Sequence, residues 1–321
     1  AGPAAAAAPA PQPVQVVIYV DNENLRPFDR NRVLPQVQRF LKTIMLPHVR
    51  VMVVSAERSV RVVQPFTSDP RQVEAALRDL RTIYGGRSDD DTARGRLIRE
   101  IQAIEDQQAT GRSSAGSRDA LLVEDRIRSY AEEQAFELDY TAAAVREITT
   151  TLAGLPGRKV LVHVSSGLPM VPARDLAMWW GEIFQQKSSL PMLSRFNRSA
   201  VYDALAATAN AQGVAFYTID ATGLGGAPGT STEYSRPLDP MVSSIHTINY
   251  QEPLLYLAEA TGGRAILDAN DVTRGLEELR EGLFSYYSLG YTLSASRADT
   301  VHRLEVQLPQ HPGHRLVYRR A

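Results

Sequence analysis

Apolar runs of strand length alternate along this chain with stretches whose apolar residues recur at helical spacing, and no other feature restricts the fold as much. "VQVVIYV" (14–20), "VRVMVV" (49–54), "KVLVHV" (159–164) and "VAFYTID" (214–220) are too short for buried helices and nearly continuous in apolar character. They read as strands. A helical segment follows the first run, with Val33, Val37, Phe40, Leu41 and Ile44 on one face. Such alternation predicts an α/β fold, a doubly wound, mostly parallel sheet with helices on both faces. "VRVMVVSA" and the nearby "SVRVVQPF" should pair antiparallel at one edge. "TSDP" then starts a helix, with Ser68 or Asp69 as N-cap, Pro70 in its first turn, and Val73, Ala76, Leu77, Leu80 and Ile83 facing inward.

Between Arg87 and Leu155 the alternation stops, and the pattern predicts a helical-hairpin insertion. Its second half is one long helix striped by Val123, Ile127, Tyr130, Leu138, Val145, Ile148 and Leu152, with Gln134 and Thr141 as polar interruptions. Such a helix spans roughly 50 Å and either crosses the domain or projects from it. Alternation resumes at "RKVLVHVSSGLPM" and continues to "DVTRGLEELREGLF". The expected organisation is a flexible Ala/Pro-rich tail over 1–13, an α/β domain over 14–284 and a C-terminal β extension over 285–321.

Balanced charge, 35 basic against 36 acidic residues, leaves a net charge of -1 and no basic footprint for nucleic acid. The absence of cysteine excludes disulfides, thiolate metal sites and cysteine nucleophiles. No apolar run reaches the roughly 20 residues of a membrane-spanning helix. The tail resembles what remains after a secretory leader is cleaved.

Ligands of doubly wound sheets bind at the carboxyl ends of the strands. The loop after Val20, the loop "YGGRSDDD" and the loop "VSSGLPM" should meet there. They offer Asp21, Asn22, Glu23 and Asn24, then Ser88 and Asp89, then Ser165 and Ser166. These are oxygen donors of the kind Mg²⁺ or Ca²⁺ prefers, without the spacing of a strong linear metal motif. Ser165 sits at a strand-to-turn junction, but His163 replaces the glycine that a nucleophile elbow needs two residues earlier. "GLGGAPG" (223–229) lacks the Lys and Ser/Thr of a phosphate loop. Of Trp179 and Trp180, one ring is expected in the core and one at its margin. Tyr286, Tyr287 and Tyr291 alternate as a half-buried strand would.

The order of "VVIYVD", "VRVMVV" with "VRVVQPFTSD", "LPGRKVLVHVSSGLP", "GVAFYTID", "LAEATGGRA" and the closing "YYSLGYTLS…HRLEVQLP…HRLVYRR" resembles a von Willebrand factor A-type domain. It is most similar to the bacterial exported proteins called VWFA-related. That resemblance implies a non-enzymatic protein-binding module, periplasmic or extracellular, with a protein as partner. In the family an Asp-x-Ser-x-Ser turn, a Thr and a third-loop Asp hold a metal ion. Here Asp21 matches the first Asp, Glu23 and Leu25 stand in place of the serines, Ser88 could replace the Thr, and Ser166-Gly167 replaces Asp-Gly. The expectation is a degenerate metal-ion-dependent adhesion site without cofactor, with Asp21 to Asn24, Ser88, Asp89, Ser165 and Ser166 facing the partner. Two alternatives stand beside it: a metal-dependent module in which Asp21, Glu23 and Asp89 ligate Mg²⁺ or Ca²⁺, and a serine hydrolase using Ser165 or Ser166. The helical arm is either a second docking surface or a brace on its own domain.

Overall fold

The computed structural model describes residues 12–57, 59–83, 86–114, 116–184, 189–225 and 237–284, with 305–307, 309, 316 and 318. Six strands form one sheet in the order β3-β2-β1-β4-β5-β6. They are β1 (Val14–Asp21), β2 (Val49–Glu57), β3 (Ser59–Thr67), β4 (Arg158–Ser165), β5 (Val214–Asp220) and β6 (Arg264–Ile266). All neighbouring pairs are parallel except β2 with β3, the antiparallel edge pair. The reversal of strand order beside β1 makes this a doubly wound, von Willebrand factor A-like sheet.

Every residue of β1 and β5 is buried, which is why these strands read as unbroken apolar runs. Val16, Ile18 and Val20 face α1 (Pro27–Ile44), α2 (Pro70–Leu80) and α9 (Thr273–Phe284), all in one core. Val17 and Tyr19 face the second core, built with α3 (Arg87–Ala109), α4 (Arg118–Thr151), α5 (Arg174–Ile183), α6 (Ser189–Phe196), α7 (Ser199–Gln212) and α8 (Pro240–Ala260). Each fully buried aliphatic side chain in these layers contributes about 1.5–3 kcal/mol.

Helix starts follow local chemistry. Asp69 caps α2 by accepting from the Arg71 N–H at 2.9 Å, with Pro70 in the first turn. Ser117 caps α4 by accepting from Ala120 N–H at 3.2 Å. The long helix is a brace: α4 packs along α3 and α7 and buries Val123, Ile127, Leu138, Val145 and Ile148 over the sheet. Both Trp179 and Trp180 are buried, correcting the expectation of one marginal ring. Their helix α5 is enclosed by α3, α4, α6 and α8 rather than lying at the edge. The predicted C-terminal β extension, Tyr286, Tyr287 and Tyr291 included, lies almost entirely outside the described residues, as does nearly all of the tail.

Candidate functional site

The top of the sheet is organised around Asp21. It is the last residue of β1, and its carboxylate is fully buried beside the end of β4. The chain then turns through a single 3-10 turn, Asn22–Asn24, which folds Asn24 back over it. Asn24 Nδ2 donates to both Asp21 oxygens, at 3.0 and 3.1 Å. Ser165 Oγ donates to Asp21 Oδ2 at 2.9 Å and accepts from the Gly167 N–H at 3.0 Å. Ser166 N–H donates to Asn24 O at 3.1 Å, locking the first and third loops together. Gly167 has φ 83°, and a Cβ there would lie 2.4 Å from Tyr250 O, so only glycine fits this turn.

Asn22 and Asn24 serve the interior rather than a ligand. Asn22 Oδ1 accepts from Arg30 Nη1 at 2.9 Å, and its amide reaches Ser55 Oγ at 3.4 Å. Arg30, only 1% exposed, also donates to Arg81 O at 3.0 Å. Leu25, at the position of the family's second serine, is buried in the core beneath α1. Glu23 lies against Gly86, whose added Cβ would stand 2.7 Å from Glu23 Oε1. Ser166 Oγ is buried and makes no hydrogen bond among the described residues.

The second loop differs from its expected form. Helix α3 begins at Arg87, so Ser88 and Asp89 belong to its first turn; their side chains lie outside the described residues. Asp90 and Asp91, one turn on from Arg87, each lie 3.6 Å from its Nε. Asp91 accepts a two-pronged pair from Arg26, Nε at 2.5 Å and Nη2 at 2.9 Å. Burial disfavours its charge, yet Arg26 and Arg87 prevail and hold its carboxyl below the usual range.

His163 shares a sheet face with Tyr19, the ring centroids 5.0 Å apart, and its Nε2 lies 3.5 Å from Asp21 Oδ2. Asp21 thus stands between His163 and Ser165. A Ser–His–Asp relay needs the histidine on the serine hydroxyl, so this order does not build one. A cavity of about 20 Å³, lined by His163, Thr141, Tyr202 and Leu257 among others, holds at most a water molecule or so.

A divalent cation at the top face needs several converging charged or hydroxyl oxygens. Asp21 is already capped by an amide and a hydroxyl, Leu25 offers no oxygen, and the third loop supplies a neutral serine. Among the described residues, the donors around Asp21 do not make up the family's metal-binding set, and no group of three or more metal-ligating side chains occurs there.

Sequence reasoning missed a second polar layer behind the turn. Gln134 donates to Tyr250 Oη at 2.6 Å and accepts from Ala173 N–H at 3.0 Å. Tyr130 Oη donates to Asp90 Oδ1 at 2.8 Å, and Asn249 pins Val171 through both its N–H and C=O at 2.9 Å. Arg94 pairs with Asp175, which His246 Nδ1 approaches to 3.4 Å. Arg87 lies over the Tyr250 ring at 4.4 Å. The signal that could have found this layer was Gln134 itself, a polar residue interrupting the stripe of α4.

No family model matches the chain, and no curated protein matches it. Solved structures do. One is BatB from Bacteroides thetaiotaomicron, at 12% identity, covering 84% of this chain and 96% of that one with a TM-score of 0.38. Another is the vWF domain of the type V pili tip protein Mfa5 from Porphyromonas gingivalis, at 13%, 88%, 99% and 0.41. A third is an aerotolerance-related membrane protein from Bacteroides fragilis, at 13%, 84%, 99% and 0.37. At these scores the von Willebrand factor A-like architecture of this chain rests on its own strand order and register.

Proposed function

We propose that the chain is a non-enzymatic protein-binding module of an exported protein, which engages its partner through the top face without a metal ion. The observation that carries this reading is the closure of Asp21 by Asn24 and Ser165. A carboxylate that the family uses to reach a partner through a cation is here turned into an internal strut. Around it the surface keeps apolar anchors: Phe28, at the start of α1, is 78% exposed, and Leu224, in the short turn after β5, is 71% exposed. Contiguous exposed apolar surface marks protein-interaction sites, and Phe28 and Leu224 are read as parts of one such patch. The periplasmic or extracellular setting is carried over from the resemblance to exported proteins. No described helix is long and apolar enough to cross a membrane.

The test is photo-cross-linking in native envelope material, with p-benzoylphenylalanine at Phe28 or at Leu46, which is exposed at the opposite end of the sheet. The reading expects a discrete protein adduct from Phe28 alone, unchanged by EDTA. Equal adducts from both positions, or loss in EDTA, contradict it.

A further inference from the structure

The outer face of α4 carries a compact patch that the top-face turn does not use. Glu133 is followed three and four residues later by Phe136 and Glu137, and these are followed four and three later by Tyr140, so the four form one contiguous surface. Phe136 is 75% exposed and Tyr140 42%, although the opposite side of the same helix is buried. An aromatic this exposed in the middle of a packed helix is not needed by the fold.

The charged residues that share this stripe with the rings, Glu133 and Glu137, are both acidic. Neighbouring acids on α4 are compensated, Glu132 by Arg195 at 3.3 Å and Asp139 by Arg198 at 3.3 Å. Glu133 and Glu137 form no ion pair among the described residues. Burial raises the Glu137 carboxyl to about 7, and Asp90, Glu133 and Glu23 add to the rise while Arg87 opposes it. Arg87 itself is shared with Asp90 and Asp91, each at 3.6 Å, and with the Tyr250 ring.

Two independent features thus favour the same occupant. Carboxylates attract a cation by charge, and aromatic faces attract it by their quadrupole while also accepting apolar contact. We propose that this face of α4 docks a basic segment of a protein partner, its Lys or Arg set between Glu133 and Glu137 and an apolar neighbour laid on Phe136. The proposal rests on the protein-binding reading above and extends it from the top face onto the helical hairpin.

The experiment uses the full chain and a fluorescein-labelled amphipathic Lys–Leu peptide, with its Glu–Leu counterpart, read by anisotropy at low salt. The Lys–Leu peptide should bind and the Glu–Leu peptide should not. Glu133→Lys with Glu137→Lys should weaken binding at least about tenfold, and Phe136→Ala at least about threefold. Glu277→Lys with Glu281→Lys, on exposed positions of α9, makes the same change in net charge and should leave binding within about twofold. Glu133, Phe136, Glu277 and Glu281 are exposed and Glu137 is half-buried, so Glu133→Lys alone, which should keep the parental melting transition and still weaken binding, guards against a folding defect in the double variant. Equal binding of both peptides, no binding of either, or equal losses in the α4 and α9 variants would overturn the proposal. A discrete Phe28 adduct combined with failure here removes only the α4 site; loss of both removes the protein-binding reading.

Discussion

At the level of single residues, the chemistry of the top face is decided by which donors Asp21 already has. Its oxygens accept from Asn24 and Ser165, so Ser165→Ala should cost about 1–2 kcal/mol by leaving a buried carboxylate short of a donor. Ser166→Ala should be within about 0.5 kcal/mol of neutral, because that hydroxyl is buried without a hydrogen-bond partner among the described residues. Urea unfolding of the two variants checks the contrast. Gly167→Ala should cost about 2 kcal/mol or more, since it combines a left-handed backbone with a collision at Tyr250 O. The same geometry bears on the hydrolase alternative. Ser165 Oγ is fully buried and bonded to a carboxylate rather than to His163, so a fluorophosphonate probe should not label the folded protein. Labelling abolished by Ser165→Ala would revive that alternative.

At the level of elements, the buried layer between α3, α4, α5 and α8 sets how the hairpin is held. Arg94 and Asp175 are both nearly inaccessible, and breaking such a pair strands a charge. Arg94→Leu alone should cost about 3–5 kcal/mol, and Arg94→Leu with Asp175→Leu distinctly less than the sum of the single changes. His246 gives the layer a pH signature. Burial, then Arg94, lower its pKa to about 4, outweighing the opposing effect of Asp175. The unfolded chain takes up this proton near 6.5 while the folded one does not, so this contribution is full above pH 6.5 and falls as pH drops toward 4. The unfolding free energy from urea titrations should decline across that window by an amount on the order of 3 kcal/mol, and His246→Phe should flatten the decline.

This scale also shows what the sequence could and could not disclose. The strands were legible because burial on both faces forces continuous apolar runs, and the start of α2 because Asp69 and Pro70 are local signals. The start of α3 was misread: the Asp-rich run resembles a solvated loop, whereas three acids in sequence also suit a helix N-terminus. The short helix α6 was not anticipated. The sequence pattern put Asp21, Ser165 and Ser166 at the carboxyl ends of β1 and β4, where they lie, because strand ends are predictable. Their bonding was not, since it depends on Asn24 folding back through one 3-10 turn. Gln134 and Tyr250 are 116 positions apart in sequence, a pairing that no local pattern encodes.

For the molecule as a whole, the sheet gathers Asp21, Asn24 and Ser165 at its carboxyl edge in one closed hydrogen-bonded turn, and the helical hairpin lies packed over one face. A site of this kind should gain nothing from cations. The most direct test is isothermal titration of chelator-stripped protein with Mg²⁺, Ca²⁺ and Mn²⁺, with Asp21→Ala alongside and melting curves recorded at each metal concentration. The account predicts no heat of binding and no stabilisation up to about millimolar metal, where a site of even modest affinity would register. Saturable binding that raises the melting temperature and disappears in Asp21→Ala would contradict it and return the top face to metal-dependent adhesion.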